Sequence, residues 1–323
     1  MSDVLWNEVA QQEYSNKLML QAQQAGKLLA AITDGGRIQA KEKFFYQQMA
    51  LSGTVNRGRL QDVSEYWEQA TFEARRIKDY VLSLPVPFDN IDLARTVLDP
   101  KSTTAETIKM AMGRLYDQLV WNAILGTTLG KDDSTTYSLG TANTVGVQVG
   151  GSSSNIGMKF AKLVAAQEVL MNNNVDPFTT PTTLILTPKA WGELVQEEMV
   201  SSKDYGAASV AVNGKLQSIV GIASHIITPS VPYVDGSNVP LMTIKESWTK
   251  VGIAQDVSGG TDIRCCALVA KSAVQYGTWR DPMMTLDRIP MRSNAQLFQW
   301  EQQCGAARTT DEGVVKILVD ESP

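Results

Sequence analysis

The chain contains a single histidine, His225, although histidine is the commonest general base in enzymes and a frequent metal ligand. A Ser-His-Asp or Cys-His site could therefore use only His225, and a histidine-rich metal site is excluded. The residue lies in the run IASHIITPS, which is rich in β-branched side chains and precedes a proline. This pattern predicts a structural histidine on a β-strand. The sequence has no G-x-S-x-G elbow and no G-x-G-x-x-G fingerprint.

One segment, GTTLGKD at 126–132, looks at first like a phosphate-binding loop. It has three residues instead of four between its glycines, and Asp132 replaces the Ser or Thr that would bind magnesium. It also follows a predicted helix, whereas a phosphate loop follows a strand. We therefore expect a glycine that ends the helix and then a polar loop.

The cysteines and carboxylates give no sign of chemistry either. Cys265 and Cys266 are adjacent and rarely bridge each other, and no CxxC pair is present, so these residues and Cys304 are predicted to be buried thiols in a reducing compartment. Carboxylates are numerous, but none forms an isolated pair in an apolar setting. We predict no catalytic residue, no cofactor and no metal, and therefore no enzyme.

Composition limits the class of protein. The chain has 323 residues, 43% of them hydrophobic and 20% charged, with a net charge of −5. These values are those of a globular protein of about two domains or one composite domain, and they argue against a dedicated basic surface that grips nucleic acid. The N-terminus is too polar for a signal peptide, and the apolar runs are too short to span a bilayer. We expect a soluble protein made in a cytoplasm.

Four segments show helical periodicity. A broken amphipathic helix is predicted over 3–32, ended by Asp34-Gly35-Gly36. A long helix of about 22 residues follows at 103–125, capped by Ser102 or Thr103 and closed by Gly126. Further helices are predicted from 156 to 171 and, starting at Pro188, to about 199.

Strand patterns occupy most of the remaining chain. Segment 44–49 is predicted as a strand, and 70–82 as a second strand or as a strand with a short helix. The polar stretch between them is either an exposed surface loop or part of a long hairpin arm that needs a neighbour to lie on. Residues 84–88, LPVPF, are expected to form an extended connector. A polar loop with one short strand at 145–149 is predicted for 130–154. Later strands are predicted at 183–187, 216–228, 240–245, 250–254, 263–276 and 313–319. The class is α+β, without βαβ alternation.

The order of these segments resembles the major capsid protein of tailed bacteriophages, of the short-tailed type. The resemblance extends over nearly the whole chain and is carried by DPKS at 99–102 before the long helix, WNAILG at 121–126, TLILTPKAW at 183–191, the GIA-x-HII step at 221–227, the QYG at 275–277 before Arg280-Asp281, and GAAR at 305–308. It implies an N-terminal arm at 1–40, an extended hairpin loop at 41–83 and a peripheral domain with a spine helix at 84–126. An axial domain would follow at 127–275, and 276–323 would return to the peripheral domain.

The resemblance implies a structural subunit that self-assembles, as hexamers and pentamers, into the icosahedral shell around the double-stranded DNA genome of the phage. The chain would reside in the virion after synthesis in the host bacterial cytoplasm. Aromatic side chains anchor interfaces, and arginines can form ion pairs across them, so Arg57, Arg59, Tyr66 and Trp67 of the extended loop are candidate subunit contacts. Each of the four also fits an ordinary exposed or locally packed loop residue.

Partners also follow from the resemblance. No coiled-coil domain precedes the arm, so we expect a separate scaffolding protein, together with a portal; a decoration protein remains open. Packaged DNA should be contacted only weakly, and no membrane is expected. Some relatives crosslink a loop lysine to an asparagine, but no lysine lies between Lys43 and Lys78, and Lys41 and Lys43 lie at the base of the loop. A noncovalent shell is therefore predicted.

Three other functions fit the sequence less well. An encapsulin, the cargo shell of bacteria with the same fold, is the main alternative, although its chain is usually shorter and its cargo-docking pocket cannot be found here. A different phage structural protein, such as a decoration or portal component, would not explain the arm and spine helix. An enzyme would need a buried polar constellation around His225 or the cysteines.

Overall fold

The computed structural model describes residues 26–48, 71–88, 101–132, 134–151, 155–197, 222, 224–234, 262–291 and 295–322. These residues form three α-helices and thirteen β-strands. The helices are α1 (Lys101–Leu125), α2 (Phe160–Asn172) and α3 (Pro188–Gln196). The strands are β1 (Thr33–Arg37), β2 (Lys43–Gln48), β3 (Phe72–Ile77), β4 (Tyr80–Phe88), β5 (Thr128–Gly130), β6 (Thr136–Tyr137), β7 (Thr144–Val145), β8 (Thr182–Leu186), β9 (Ser224–Ile227), β10 (Ile263–Ala270), β11 (Val274–Ile289), β12 (Ala295–Arg308) and β13 (Val314–Asp320).

The three predicted helices that fall on described residues are present, with two corrected starts. Helix α1 begins at Lys101, so Ser102 and Thr103 lie inside it and do not precede it as caps. Helix α2 begins at Phe160 instead of Ile156, because Lys159 is still extended. The start of α2 is held from outside, because the backbone N–H of Met158 donates to Glu193 of α3 and that of Phe160 donates to Glu197, the residue just after α3. Helix α3 starts as predicted.

Five strands form a buried sheet in the order β7-β13-β10-β8-β9. Strand β10 runs antiparallel to both β13 and β8, and β9 lies parallel to β8 at the edge. His225 lies on β9, as predicted. The predicted short strand at 145–149 is present only as β7, since turns follow it. The predicted strands at 240–245 and 250–254 lie outside the described residues.

A second sheet has the order β1-β11-β12-β4 and contains the largest departure from the sequence predictions. Strands β11 and β12 form a long antiparallel hairpin of 16 and 14 residues, most of which was not predicted. Segment 84–88 is no free connector, because it pairs with β12 as part of β4. Asp34-Gly35-Gly36 lies in β1, which pairs parallel to β11, so it is not a helix stop. Before it, only a short 3₁₀ turn (Leu28–Ala31) is described.

The third sheet, β2-β3-β5-β6, attaches the predicted hairpin arm to the rest of the molecule. Strands β2 and β3 pair antiparallel from Lys43–Ile77 to Gln48–Phe72, and we name this pair the ribbon. Strand β5, which follows α1, pairs with β3 through Gly130 and Leu129. The base of the ribbon therefore lies next to the C-terminal end of α1 in space.

The predicted domain boundaries stay a prediction, and several strand pairings cross them. Strand β13 belongs to the range 276–323, which was predicted to return to the peripheral domain, yet it pairs with β10 of the range 127–275. The main apolar core spans both ranges and also includes Leu119, Trp121 and Ile124 of α1. The three cysteines are free and buried, as predicted.

Candidate assembly surfaces

The ribbon has two different faces because successive residues of a strand point to opposite sides. On one face Phe45 packs against Ile77, together with Ile38 and Trp279. On the other face, Tyr46 is 65% exposed and Phe72 is 61% exposed. Phe44, two residues before Tyr46, shares this side and is half-buried. We name Phe44, Tyr46 and Phe72 the aromatic face.

The long hairpin carries a second uncovered apolar surface. Met284 pairs with Trp300, and Leu286 pairs with Phe298, so each pair shares one side of the sheet. Trp300 and Phe298 are covered by Ile108 and Met112 of α1. Met284 and Leu286 lie beyond this cover and are 44% and 53% exposed. We name these two residues the apolar strip.

A buried group of charges, here called the anchor, holds the ribbon to the rest of the subunit. Arg75 of β3 donates from both terminal nitrogens to the two carboxylate oxygens of Asp311, each at 2.8 Å. Its guanidinium also lies 4.7 Å from the centre of the Tyr137 ring. Such a bidentate pair fixes direction as well as distance. The ribbon is therefore held in one orientation at its base.

Arg308 completes the anchor from the end of β12. It is fully buried, its Nε donates to Asp311, and Nη1 donates to the carbonyl oxygens of Ile124 and Gly126 at 2.8 Å. These are free carbonyl groups at the C-terminus of α1, where a positive charge is favoured by the helix dipole. One carboxylate thus links the ribbon, the long helix and β12.

The anchor also reaches the five-stranded sheet. The side chain of Asn143 donates to the backbone oxygen of Asp311 at 2.7 Å, and Asn173, just after α2, donates to Asn143 at 3.0 Å. Burial raises the pKa of the Asp311 carboxyl, but the hydrogen bonds and charges of Arg75 and Arg308 outweigh this and hold that pKa below its usual value. Asp311 therefore stays ionised at neutral pH.

The residues predicted to form subunit contacts are not the residues that form the surfaces described here. Arg57, Arg59, Tyr66 and Trp67 lie outside the described residues, so their role in subunit contacts stays a prediction. Lys43 is described, and its ammonium donates to the oxygen of Gly35 at 2.9 Å. Arg75, Arg308 and Asp311 were missed because more than 230 residues separate Arg75 from Asp311, and no spacing rule connects them.

The other segments that could have carried chemistry show ordinary packing. The GTTLGKD segment contains β5 (Thr128–Gly130), which pairs with β3 where a polar loop was predicted. Burial raises the pKa of Cys265 and Cys266 to about 12. Within the described ranges, no cluster of His, Cys, Asp and Glu is placed to hold a metal ion. None of the described helices has the length and apolar character needed to cross a membrane.

Comparison with known proteins decides the family. The model of the family described as phage capsid protein matches residues 7–321. The chain belongs to the phage capsid protein family. It is therefore a shell-forming structural subunit of a bacteriophage capsid, with its place in the virion. This confirms the resemblance to tailed-phage major capsid proteins, and the encapsulin alternative is not favoured.

Solved structures show the same fold at low sequence identity. The capsid protein of cyanophage P-SCSP1u is 14% identical, with a TM-score of 0.69 over 98% of this chain and 94% of that one. For the capsid of cyanophage Pam1 the values are 13%, 0.69, and 99% of both chains. The head structure of Helicobacter pylori bacteriophage KHP40 gives 11%, 0.70, and 99% of both chains. No curated protein matches the chain.

Proposed function

We propose that the subunit assembles as hexamers and pentamers into an icosahedral shell around double-stranded DNA, and that the aromatic face of one copy contacts the apolar strip of the next. The observation that carries the proposed contact is that both surfaces are uncovered in the single subunit and lie on different sheets. A contact between two different patches is heterologous, and such contacts close into rings when the rotation between copies fits.

The chemistry of the two surfaces supports this pairing. Methionine is flexible and polarisable, and its sulfur makes favourable contacts with aromatic rings. Tyr46 and Phe72 supply rings, and Met284 supplies a thioether beside Leu286. The edge of the hairpin sheet is less suited to assembly, because Pro85 and Pro87 of β4 have no N–H to offer a further strand. At β4, contact with another subunit is therefore better made through a face of the sheet than through its edge.

Several finer properties belong to the same proposal. The division into arm, extended loop, peripheral and axial domains follows the resemblance, as do a separate scaffolding protein, a portal, room for a decoration protein and synthesis in the host cytoplasm. The net charge of −5 supports weak contact with DNA. The position of Lys43 on the inner part of the ribbon, bonded to Gly35, supports a shell without covalent crosslinks. The role is structural and not catalytic.

The contact can be tested with a cysteine pair, because all three native cysteines are buried. We would prepare Tyr46→Cys/Leu286→Cys subunits, assemble them with a candidate scaffold, and oxidise them. Disulfide-linked ladders that end at five and six subunits are expected on non-reducing gels. Tyr46→Cys/Phe178→Cys is the matched control, since Phe178 is 71% exposed but lies on neither surface.

Electron microscopy and sedimentation of the same samples test the shell itself. Closed particles of uniform size are expected for the native chain and for Phe178→Ser, while Tyr46→Ser/Phe72→Ser should remain as free subunits. Shells that form without a ladder would overturn the proposed contact and leave the shell function intact. A monomer under every condition would overturn the assembly proposal.

A further inference from the structure

The first described segment of the chain is held against the long helix by one carboxylate. Asp117 of α1 is 1% exposed, and its Oδ1 accepts the backbone N–H groups of Lys27 and Leu28, each at 2.9 Å. Leu28 opens the 3₁₀ turn Leu28–Ala31 and is itself fully buried. Asp117 thus serves this turn as a capping residue does, but from another element.

A backbone contact lies beside this carboxylate. A Cβ atom built on Gly26 would fall 2.1 Å from the carbonyl oxygen of Gly113 and 2.7 Å from its Cα. Gly113 precedes Asp117 by four residues and therefore lies one helical turn away on the same side of α1. Any side chain at position 26 would push the segment off the helix. The segment is consequently fixed at two neighbouring points.

Burying the charged carboxylate of Asp117 costs free energy. Its Oδ2 finds no hydrogen-bond partner among the described residues. Burial raises the pKa of Asp117 to about 6, although the N–H groups of Leu28 and Lys27 and the charge of Lys27 lower it. Among the described residues, the Lys27 ammonium is the charged group that acts on Asp117. An uncharged acceptor would hold the same two N–H groups without the cost of burying a charge.

We infer that Asp117 is the positioning residue that fixes residues 26–31 on α1, and that it holds them more firmly when it is protonated. This goes beyond the proposed function, because it does not depend on which surfaces join the subunits.

The direction of the pH effect follows from linkage. When the segment lifts off, Asp117 meets water and its pKa returns toward 3.8, whereas it is about 6 in the closed form. A raised pKa in the closed form gives stability that is complete below 3.8 and is lost as the pH rises through about 6. The opening equilibrium should therefore grow about tenfold between pH 5 and pH 7.5.

Amide hydrogen exchange on the unassembled full-length chain tests the inference at Lys27 and Leu28, after correction for intrinsic exchange rates. In the native chain, protection of both amides should fall about tenfold from pH 5 to pH 7.5. Asp117→Asn keeps the acceptor oxygen but does not titrate, so its protection should be the same at both pH values. Gly26→Ala should lose protection at both.

Asp34→Asn is the matched control, since Asp34 is exposed, belongs to the same segment and bonds only the nearby N–H of Gly36 among the described contacts. It should behave like the native chain. A pH-dependent loss of protection that persists in Asp117→Asn would overturn the inference, as would unchanged protection in Gly26→Ala. Because the measurement uses free subunits, a failure of shell assembly does not affect it.

Discussion

Strand β10 of the buried sheet and strand β11 of the long hairpin both pair antiparallel with their neighbours, yet they differ greatly in exposure to solvent. In β10, every residue from Cys265 to Ala270 is at most 1% exposed. In β11, most residues from Arg280 to Arg288 are exposed. Strand β10 is apolar on both faces, while the outer part of β11 mixes Asp281, Asp287 and Arg288 with Met283, Met284 and Leu286.

This difference separates the part of the molecule that folds the subunit from the part that is free to meet another copy. A sheet that is covered on both faces has no exposed apolar face for contact with another subunit. The hairpin is covered by α1 on only part of one face, so it keeps an apolar strip open. The anchor of Arg75, Asp311 and Arg308 lies between the two regions and fixes their connection to the ribbon.

The largest effect is expected at the anchor. Arg308→Ala removes a fully buried cation and leaves Asp311 and the carbonyl groups of Ile124 and Gly126 without this donor. We expect a loss of about 3–5 kcal/mol in the free energy of unfolding, measured by urea denaturation of unassembled subunits.

Arg280→Ala is the control for this substitution. The Arg280 side chain is 52% exposed and pairs with Glu301 at 3.5 Å on the hairpin, so its loss should change stability by no more than about 0.5 kcal/mol. Equal effects of the two substitutions would contradict the division into a buried and an open region.

A second comparison removes the same side chain from each sheet. Leu268 of β10 is fully buried in the main core, and Leu268→Ala should cost about 2–5 kcal/mol through lost burial and the cavity left behind. Leu286→Ala on the hairpin should cost about 0.5 kcal/mol or less in the free subunit. Chemical denaturation measures both, and a large cost at Leu286 would show that the strip is already covered in solution.

The sequence predicted the buried parts better than the open ones, for a physical reason. Helix α1 repeats apolar residues at Ile108, Met112 and Leu119, and the structure buries all three. Pro188 marks the start of α3 in the sequence, and the structure adds a cap that was not predicted, since the Thr187 hydroxyl accepts the N–H of Ala190 at 3.1 Å. Burial of one helix face leaves a regular spacing of apolar residues in the sequence, and this spacing is what made the helices predictable.

The hairpin lacked both signals. Strand β11 departs from regular pairing between Thr278 and Arg280 and again between Arg280 and Met283, so its alternation is broken. Its partner β12 contains QWEQQ, a polar run that does not suggest a strand. The anchor could not be found either, because Arg75 is an ordinary-looking charge until the fold brings Asp311 to it. A contact between residues that are far apart in the chain leaves no pattern in a single sequence.

The smallest predicted difference compares thiols of the two sheets. Cys265 and Cys266 lie on β10, and Cys304 lies on β12; all three are fully buried. Burial raises the pKa of the first two to about 12 and that of Cys304 to about 11, where a hydrogen bond with Tyr276 partly opposes the effect of burial. The Cys304 thiol is therefore held less strongly in its neutral form.

Because a fully buried thiol must be uncovered before it reacts, Cys304 at the base of the open hairpin should be alkylated faster than the β10 pair in native subunits. Trypsin separates the two sites, since cleavage after Arg264 and Lys271 releases CCALVAK while Cys304 stays in the peptide that ends at Arg308. Mass spectrometry of timed samples gives both rates, and urea-unfolded chain gives the reference in which the rates should converge. Faster labelling of CCALVAK would mean that the five-stranded sheet opens before the base of the hairpin, and would reverse the comparison between the two regions.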